Sequence, residues 1–250
     1  MGQVDPHAGS GHTLWPGISA TAAAIIGDEG LRPQLRRVEL QPGQSVYDAY
    51  QPQPSVYLLL SGLAAIGVRA DSEHWVDIGI VGRGEICGLA AGAGLAPPPH
   101  RCVVRVGGDA LACSAAAFTD ALKRNPVLDE AVWRLWCELA GQAARAAHCN
   151  ALHPLSGRLA SCLLLVQDRL DGTRHIPLTH DGLAALLGVC RAGVTTALRN
   201  LEQAGTIRQQ WGRISVENRP DLVARACCYP ADSAPPAESA SASRAATPRG

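Results

Sequence analysis

Four polar or charged side chains lie on one face of a helix that the sequence predicts in the C-terminal third of the chain. The helix runs from about Arg191 to Gln203, where Val194, Leu198 and Leu201 recur at the spacing of one buried helical face. An arginine in the major groove of DNA can donate two parallel hydrogen bonds to O6 and N7 of one guanine. The candidates for contacts to DNA bases, all pointing away from the core, are Arg191, Thr195, Thr196 and Arg199.

The segments on both sides of this helix predict a winged helix-turn-helix. Thr179 is a good N-cap for a short preceding helix, and Gly188 separates the two helices. A hairpin at 207–216, with a Trp211-Gly212 turn, follows and would form the wing. Contacts from such flanking elements to DNA phosphates position a protein without specifying a base sequence. The candidates for phosphate contacts are Thr179, Arg208 and Arg213.

The charge is distributed unevenly between the N-terminal and C-terminal parts of the chain. The chain of 250 residues has 22 basic and 22 acidic residues, so its net charge is zero. Residues 1–155 carry a net charge of −3, whereas residues 156–228 carry +3. An acidic front and a mildly basic back favour two functions in one chain, with nucleic acid bound by the second part.

The composition also excludes several classes of protein. No apolar run approaches the roughly 18–20 residues that span a bilayer, and the first residues lack the basic start and apolar core of a secretory signal. We therefore expect a cytoplasmic protein. The nine cysteines are odd in number and none forms a CxxC pair, which favours reduced thiols. Cys87, Cys102 and Cys113 are expected to be small buried apolar residues.

The N-terminal half has the pattern of an antiparallel sheet structure. From residue 34 to about residue 114, short apolar segments alternate with Gly and Pro turns at spacings of about 8–12 residues, as in a β-sandwich or roll. The predicted fold class is α+β: an N-terminal antiparallel β-roll, a long helix and a C-terminal winged helix-turn-helix. The expected parts are a loose tail at 1–18, a roll at 19–125, a helix at 126–154, a DNA-binding domain at 155–229 and a disordered low-complexity tail at 230–250.

A long helix is predicted between the two halves, at 127–150. At 1.5 Å per residue it would be about 36 Å long, which exceeds what a small roll needs for its own packing. A heptad pattern runs along it, formed by apolar or small residues except at Gln142: Leu128, Val132, Leu135, Leu139, Gln142, Ala146 and Cys149. The pattern favours pairing with a second copy in a homodimer, and an internal amphipathic helix is the alternative.

Two C-terminal stretches resemble those of a known family. The sequences CNALHPLSGRLASCLLLVQDRL (149–170) and LTHDGLAALLGVCRAGVTTALRNLEQAGTI (178–207) are similar to the hinge, first helix and helix-turn-helix of cyclic-AMP-receptor/FNR (Crp/Fnr) transcription regulators. SVYLLLSGLAAIGV and GRGEICGL resemble, more weakly, the family's effector-binding β-roll. The resemblance covers roughly residues 34–229. It implies a homodimer on a two-fold DNA site, with RNA polymerase as a further candidate partner and an unknown effector.

The resemblance also assigns roles to single residues. Arg191 matches a base-contacting arginine at the start of the family's recognition helix. Ala192 stands where an acidic residue is common, and Thr196 where an arginine is common, so the recognised DNA sequence should differ from that of the best-known members.

The resemblance implies half of a cyclic-nucleotide site. Gly84 and Glu85 match the Gly-Glu pair that opens the family's phosphate-binding helix. Arg101 matches the phosphate-neutralising arginine, but Cys102 follows it where nucleotide-binding members have Ser or Thr. These four residues form a candidate effector pocket, at which we expect cyclic AMP to bind weakly or not at all.

Other chemistry has little support. An FNR-type iron–sulfur cluster needs cysteines near the N-terminus, but the first is Cys87. His148 and His153 would lie on different faces of a continuous helix, which favours a capping or hinge role. No metal, cofactor or enzymatic activity is therefore predicted. The alternative is a small-molecule-binding, cupin-like roll or enzyme with a helical appendage, although His74 and His100 alone do not form a metal cluster.

Overall fold

The structure of the chain is a computed structural model that describes residues 19–69 and 75–229. The expected tails at 1–18 and 230–250 lie outside these residues, and so does His74.

The N-terminal half is an antiparallel β-roll, as predicted. Two four-stranded sheets have the strand orders β1-β8-β3-β6 and β2-β7-β4-β5, and their inner faces pack around Leu59, Ala64, Cys102 and Val104. The short strands β2 and β6 were not predicted from the sequence. The strands are β1 (Arg36–Leu40), β2 (Ser45–Tyr47), β3 (Ser55–Leu59), β4 (Leu63–Arg69), β5 (Trp75–Val81), β6 (Ile86–Cys87), β7 (His100–Val106) and β8 (Gly108–Ser114).

Three helices and a long fourth one cover the roll. They are α1 (Ala20–Gly27), α2 (Leu89–Gly92), α3 (Ala115–Arg124) and α4 (Pro126–Leu152). Asn125 separates α3 from α4, because its side chain accepts hydrogen bonds from the N–H groups of Val127 and Leu128 and caps the new helix. With 27 residues, α4 is about 40 Å long. The predicted long helix is therefore present and extends slightly beyond both predicted ends.

The heptad pattern of α4 faces its own roll. Leu128, Val132 and Leu135 are buried in one cluster with Ile25 of α1 and Phe118 of α3, inside a single copy of the chain. The expectation that these three residues pair with a second copy of the chain is therefore wrong. Periodicity identifies the apolar face of a helix, but a neighbouring element of the same chain can cover that face as well as a partner can.

A second face of α4 carries another pattern, which was not predicted from the sequence. Its members are exposed and follow one another at steps of four and three residues, as the positions of a coiled-coil seam do. Trp133 is 62% exposed, and mostly alanines follow it. We call this face the outer seam; it consists of Trp133, Cys137, Ala140, Ala144, Ala147 and Ala151.

The C-terminal domain is a winged helix-turn-helix. Leu159 and Leu163 of its first helix pack against Val194, Leu198 and Leu201, and roll residues contribute to the same core. Its sheet has the order β10-β11-β9. The elements are α5 (Leu155–Arg169), β9 (His175–Ile176), α6 (His180–Leu187), α7 (Arg191–Gln203), β10 (Ile207–Gln210), β11 (Arg213–Val216) and α8 (Arg219–Arg225), the last of which was not predicted.

Within the described residues, no single helix combines the length and the apolar character needed to cross a membrane. Taken together α6 and α7 have the required length and composition, but they are bent by 107° and their apolar residues form the core described above.

Candidate nucleic-acid interface

The turn between α6 and α7 sets the second helix across the first. Thr179 begins α6, and its hydroxyl oxygen accepts the N–H of Gly182 at 3.1 Å. Gly188 ends α6 with φ +62°, a left-handed conformation that favours glycine because other residues have a Cβ that would clash. The helices are bent by 107° relative to each other, so α7 lies across α6 with one face buried and the other exposed.

The exposed face of α7 carries the predicted base-contacting residues. Arg191 is 66% exposed, and its guanidinium lies 3.5 Å from the carboxylate of Asp181, itself exposed. Thr196 is exposed and donates a hydrogen bond to the carbonyl of Ala192 at 3.1 Å. Arg199, two turns from Arg191, is exposed as well. The structure therefore brings Arg191, Thr196 and Arg199 together on one open surface.

Thr195 has a different environment. Its hydroxyl lies 2.9 Å from Nδ1 of His180 and also donates to the carbonyl of Arg191 at 3.0 Å. Nε2 of His180 in turn lies 3.0 Å from Oε1 of Gln209 on the wing, and Gln209 donates from Nε2 to Glu202 at 2.8 Å. Because the Gln209 amide donates to Glu202, its oxygen accepts the Nε2–H of His180. Thr195 is thus part of a network that fixes α6, α7 and the wing.

His180 is not among the functional residues predicted from the sequence. Its position directly after the N-cap Thr179 placed it in the first turn of α6, but only the crossing of α6 and α7 brings it to Thr195. Because this contact depends on tertiary structure, no local sequence pattern could have indicated it.

The wing presents its arginines to solvent. Gln210 and Arg213 are paired at the end of the hairpin, Gly212 turns the chain with φ +70°, and Trp211 at the tip is fully exposed. Arg213 is exposed and donates from Nε to Oε1 of Gln210 at 2.5 Å. Arg208 is 66% exposed and lies 3.8 Å from Glu217. Two of the three predicted phosphate contacts are therefore exposed arginines on one hairpin.

The candidate effector residues of the roll are not gathered around one cavity. The carboxylate of Glu85 accepts from the backbone N–H of Gly82 at 2.7 Å and from Arg169 of α5 at 3.2 Å. Gly84, with φ +78°, receives a hydrogen bond from the hydroxyl of Ser19 on its carbonyl. The Gly-Glu pair therefore holds α5 and α1 against the roll.

Arg101 and Cys102 face opposite sides of their strand. Cys102 is buried, with its sulfur 3.5 Å from that of Cys87. Arg101 stacks over the ring of Trp75, 4.0 Å from its centroid, and its buried Nε has no hydrogen-bond partner among the described residues. Burial and the neighbouring guanidinium of Arg105 lower the pKa of Arg101.

The roll does contain a cavity, of about 180 Å³, beneath α4. Ile66, Ile78, Trp136 and Leu139 are among its apolar walls. Its polar edge is a pair in which the Tyr47 hydroxyl lies 3.1 Å from Nδ1 of His100. Burial lowers the pKa of His100, so the imidazole is neutral near pH 7. The four candidate effector residues, Gly84, Glu85, Arg101 and Cys102, are not among the residues that line this cavity.

Comparisons with known proteins agree with this geometry. Residues 157–225 match the Crp-like helix-turn-helix domain. FixK2 from Bradyrhizobium japonicum has a similar structure, with 15% identity, a TM-score of 0.68 and coverage of 77% of this chain and 98% of that one. TTHA1359, a transcriptional regulator of the CRP/FNR family from Thermus thermophilus, has 21% identity and a TM-score of 0.63, covering 76% and 98%.

A regulator assigned to the Crp/Fnr family from Eubacterium rectale covers more of this chain. It has 18% identity and a TM-score of 0.62, and the match extends over 86% of this chain and 97% of that one. No curated protein sequence matches the chain significantly. At these identities the structural matches establish the fold, and the matched domain establishes the type of DNA-binding module.

Proposed function

We propose that this chain, which has the fold of Crp/Fnr regulators and a Crp-like helix-turn-helix domain, is a sequence-specific DNA-binding transcription regulator. The observation that carries the proposal is α7: its apolar face is buried, and its opposite face presents Arg191, Thr196 and Arg199 beside a wing with exposed arginines. A helix with this division is suited to the major groove, because one face anchors it and the other reaches base edges.

The proposed roles follow from exposure and existing contacts. Arg191 reads a guanine, with Thr196 and Arg199 as further base-contacting residues. For Thr195 we propose a base contact through the methyl group alone, because its hydroxyl lies within hydrogen-bond distance of His180. The proposed phosphate contacts are Thr179, Arg208 and Arg213.

Crp/Fnr regulators bind DNA as dimers, and we propose that this chain does so through the outer seam of α4. Two observations support this choice. The residues of the outer seam are exposed and have coiled-coil spacing, whereas Leu128 and Leu135 already pack against the roll of their own chain. Small residues allow two helix backbones to approach closely, and Trp133 supplies a large apolar surface at one end. A symmetric dimer then places the two copies of α7 on a two-fold DNA site.

The remaining assignments depend on this function. A regulator acts where the DNA is, so we propose a cytoplasmic location and RNA polymerase as a further partner. Regulators of this type are typically not enzymes, and we propose no catalytic activity. The cupin-like alternative needs a group of metal-binding residues inside the roll. In the roll cavity, His100 lies within hydrogen-bond distance of the Tyr47 hydroxyl and most of the other lining residues are apolar, which does not favour that alternative.

Two single variants separate base reading from phosphate binding. Arg191→Ala should cost about 1–3 kcal/mol and relax the preference at one base pair of each half-site, because the bidentate contact to guanine is lost. Arg213→Ala should weaken binding to all sequences alike and reduce the salt slope by about 1 per monomer, because one phosphate contact is lost.

The measurement is binding to the preferred operator and to its single-base variants at two salt concentrations. Each variant is the control for the other. If Arg191→Ala keeps full discrimination at every base pair, Arg191 is not the reader, and Thr196 and Arg199 are the next residues to test.

A second prediction concerns the effector. Cyclic AMP should bind weakly or not at all, because the roll cavity is lined mainly by apolar groups and Arg101 is stacked on Trp75 instead. Titration calorimetry with the purified protein measures this directly. Micromolar affinity that disappears in Arg101→Ala would contradict the prediction.

A further inference from the structure

Five potential metal ligands gather where α4 ends and α5 begins. The sulfurs of Cys149, Cys227 and Cys228 all lie within 4.8 Å of one another. The imidazole nitrogens of His148 and His153 and the sulfur of Cys228 form a second group within the same limit. We call these five residues the hinge cluster. They come from the last turn of α4, the loop after it and the segment that follows α8.

The end of α4 brings the two histidines together. On a continuous helix the two residues would lie on different faces, but the helix ends at Leu152 and His153 is its extended C-cap, with ψ 143°. The chain therefore turns at His153, and its ring meets that of His148 edge-on at 5.5 Å between centroids. The interpretation of the two histidines as a poor metal pair is corrected for that reason, and His153 also has the capping position that the sequence favours.

The backbone after α8 is fixed so that two adjacent cysteines converge on Cys149. The N–H of Cys227 donates to the carbonyl of Gly157 at 3.2 Å, and the hydroxyl of Ser161 donates to the carbonyl of Cys227. Cys228 has φ +45°, an unusual conformation for a residue other than glycine. Its sulfur lies 3.2 Å from Nε2 of His153, so the two groups of ligands share this sulfur.

The donor set selects a class of ion. Thiolates and imidazoles favour zinc and similar thiophilic ions, whereas calcium and magnesium require oxygen ligands, which neither of the two groups contains. Three cysteines and one histidine form one of the common tetrahedral zinc sites.

The hinge cluster is accessible to an ion. Cys149, Cys227 and Cys228 line a cavity of about 130 Å³ between β5, α4 and α5. His148 and Cys228 are exposed, while Cys149, His153 and Cys227 are half-buried. An ion can therefore enter from solvent and bind sulfurs that are partly shielded from it.

We propose that Cys149, Cys227 and Cys228, with His153 as the fourth ligand, bind a thiophilic divalent cation such as Zn²⁺. Each thiol releases its proton to solvent on binding, and His153 binds as neutral imidazole. The ion joins the end of α4 to the segment after α8, and so connects the two domains. A second part of the proposal rests on the proposed function: the affinity for DNA depends on the bound metal. The metal fixes the segment between α4 and α5, and the orientation of α7 depends on that segment.

The test begins with cobalt as a spectroscopic probe. Titration of the reduced, metal-free full chain with Co²⁺ should produce a thiolate-to-metal charge-transfer band and intense visible bands typical of tetrahedral cobalt, and one equivalent of Zn²⁺ should remove them. The double variant C227S/C228S should lose most of the charge-transfer intensity, because only the Cys149 thiolate remains. It should also bind Co²⁺ more than about 100-fold more weakly, because removal of ligands costs more than the 10–100-fold typical of supporting residues. His153→Gln should keep the charge-transfer band, but the visible bands typical of tetrahedral cobalt should lose intensity.

The matched control is Cys190→Ser, which removes an exposed thiol that lies outside the hinge cluster and should leave the spectrum unchanged. Circular dichroism of the metal-free variants establishes that they fold. The proposal is overturned if folded wild type gives no charge-transfer band, if C227S/C228S retains the full wild-type intensity of that band, or if Cys149 is isolated as a disulfide with a neighbouring cysteine under reducing conditions.

DNA binding of the zinc-loaded and metal-free protein is then measured separately. A change of at least tenfold in operator affinity, absent in C227S/C228S, supports control by the metal, and equal affinities overturn it. If neither form binds DNA while the cobalt spectrum is present, the proposed function fails and the metal site stands.

Discussion

The double variant A144E/A147E should sediment as a monomer, whereas the wild type is expected to sediment as a dimer. Both alanines are exposed on the outer seam of α4, so a symmetric pair of helices would bury four added carboxylates in an apolar interface. Desolvation of unpaired charges costs several kcal/mol per ion. Operator affinity should fall by at least about 100-fold, because a monomer can occupy only one half-site.

The matched control introduces the same two carboxylates elsewhere. Ala116 on α3 and Ala224 on α8 are also exposed helical alanines, and A116E/A224E should remain a dimer. Leu135→Asp provides a second comparison: Leu135 is 3% exposed inside its own roll, so this variant should unfold instead of dissociating. A wild type that is monomeric at micromolar concentration would contradict the account.

Asp77→Ala should lower the free energy of unfolding by about 3–5 kcal/mol, because it leaves a largely buried guanidinium without its counter-charge. The side chain of Asp77 is 2% exposed and accepts hydrogen bonds from Nε and Nη2 of Arg105 at 3.0 and 2.8 Å. Burial raises the pKa of Asp77, against the opposing effect of Arg105, so the carboxylate depends on this partner to remain ionised.

Chemical denaturation measures the effect. The exposed pair between Arg37 and Asp109 is the matched control, and Arg37→Ala should leave the free energy of unfolding almost unchanged, because solvent screens an exposed ion pair. Replacing both buried partners, as in D77A/R105L, should recover much of the loss, since no unpaired charge then remains. If Asp77→Ala lowers the free energy of unfolding no more than Arg37→Ala does, the buried pair contributes no more to stability than the exposed pair.

The DNA-binding elements could be predicted because their determinants are local. The cap at Thr179, the Gly188 turn and the period of Val194 and Leu198 each define a boundary or a buried face within a few residues. The predicted range of α7, Arg191–Gln203, is the observed one. Strands of five to seven residues in the roll were also found, whereas β2, β6 and α2, with two to four residues, are too short to leave a pattern.

The features that were missed depend on which parts of the chain meet in space. The apolar pattern of Leu128 and Leu135 was read correctly, but its partner is the roll of the same copy. Arg101 was matched to a phosphate-binding residue, yet strand alternation directs it to Trp75. His153 joins a cysteine 75 residues away, which no spacing rule could connect.

Selection of DNA from a random pool with the purified protein, followed by measurement of binding stoichiometry on the selected sequence, tests whether the chain is a dimeric, sequence-specific DNA-binding protein. We expect an inverted repeat with half-sites about 10 bp apart, centre to centre, bound by two chains per duplex. A pool that shows no enriched sequence, or a single non-repeated element bound by one chain, would contradict that expectation.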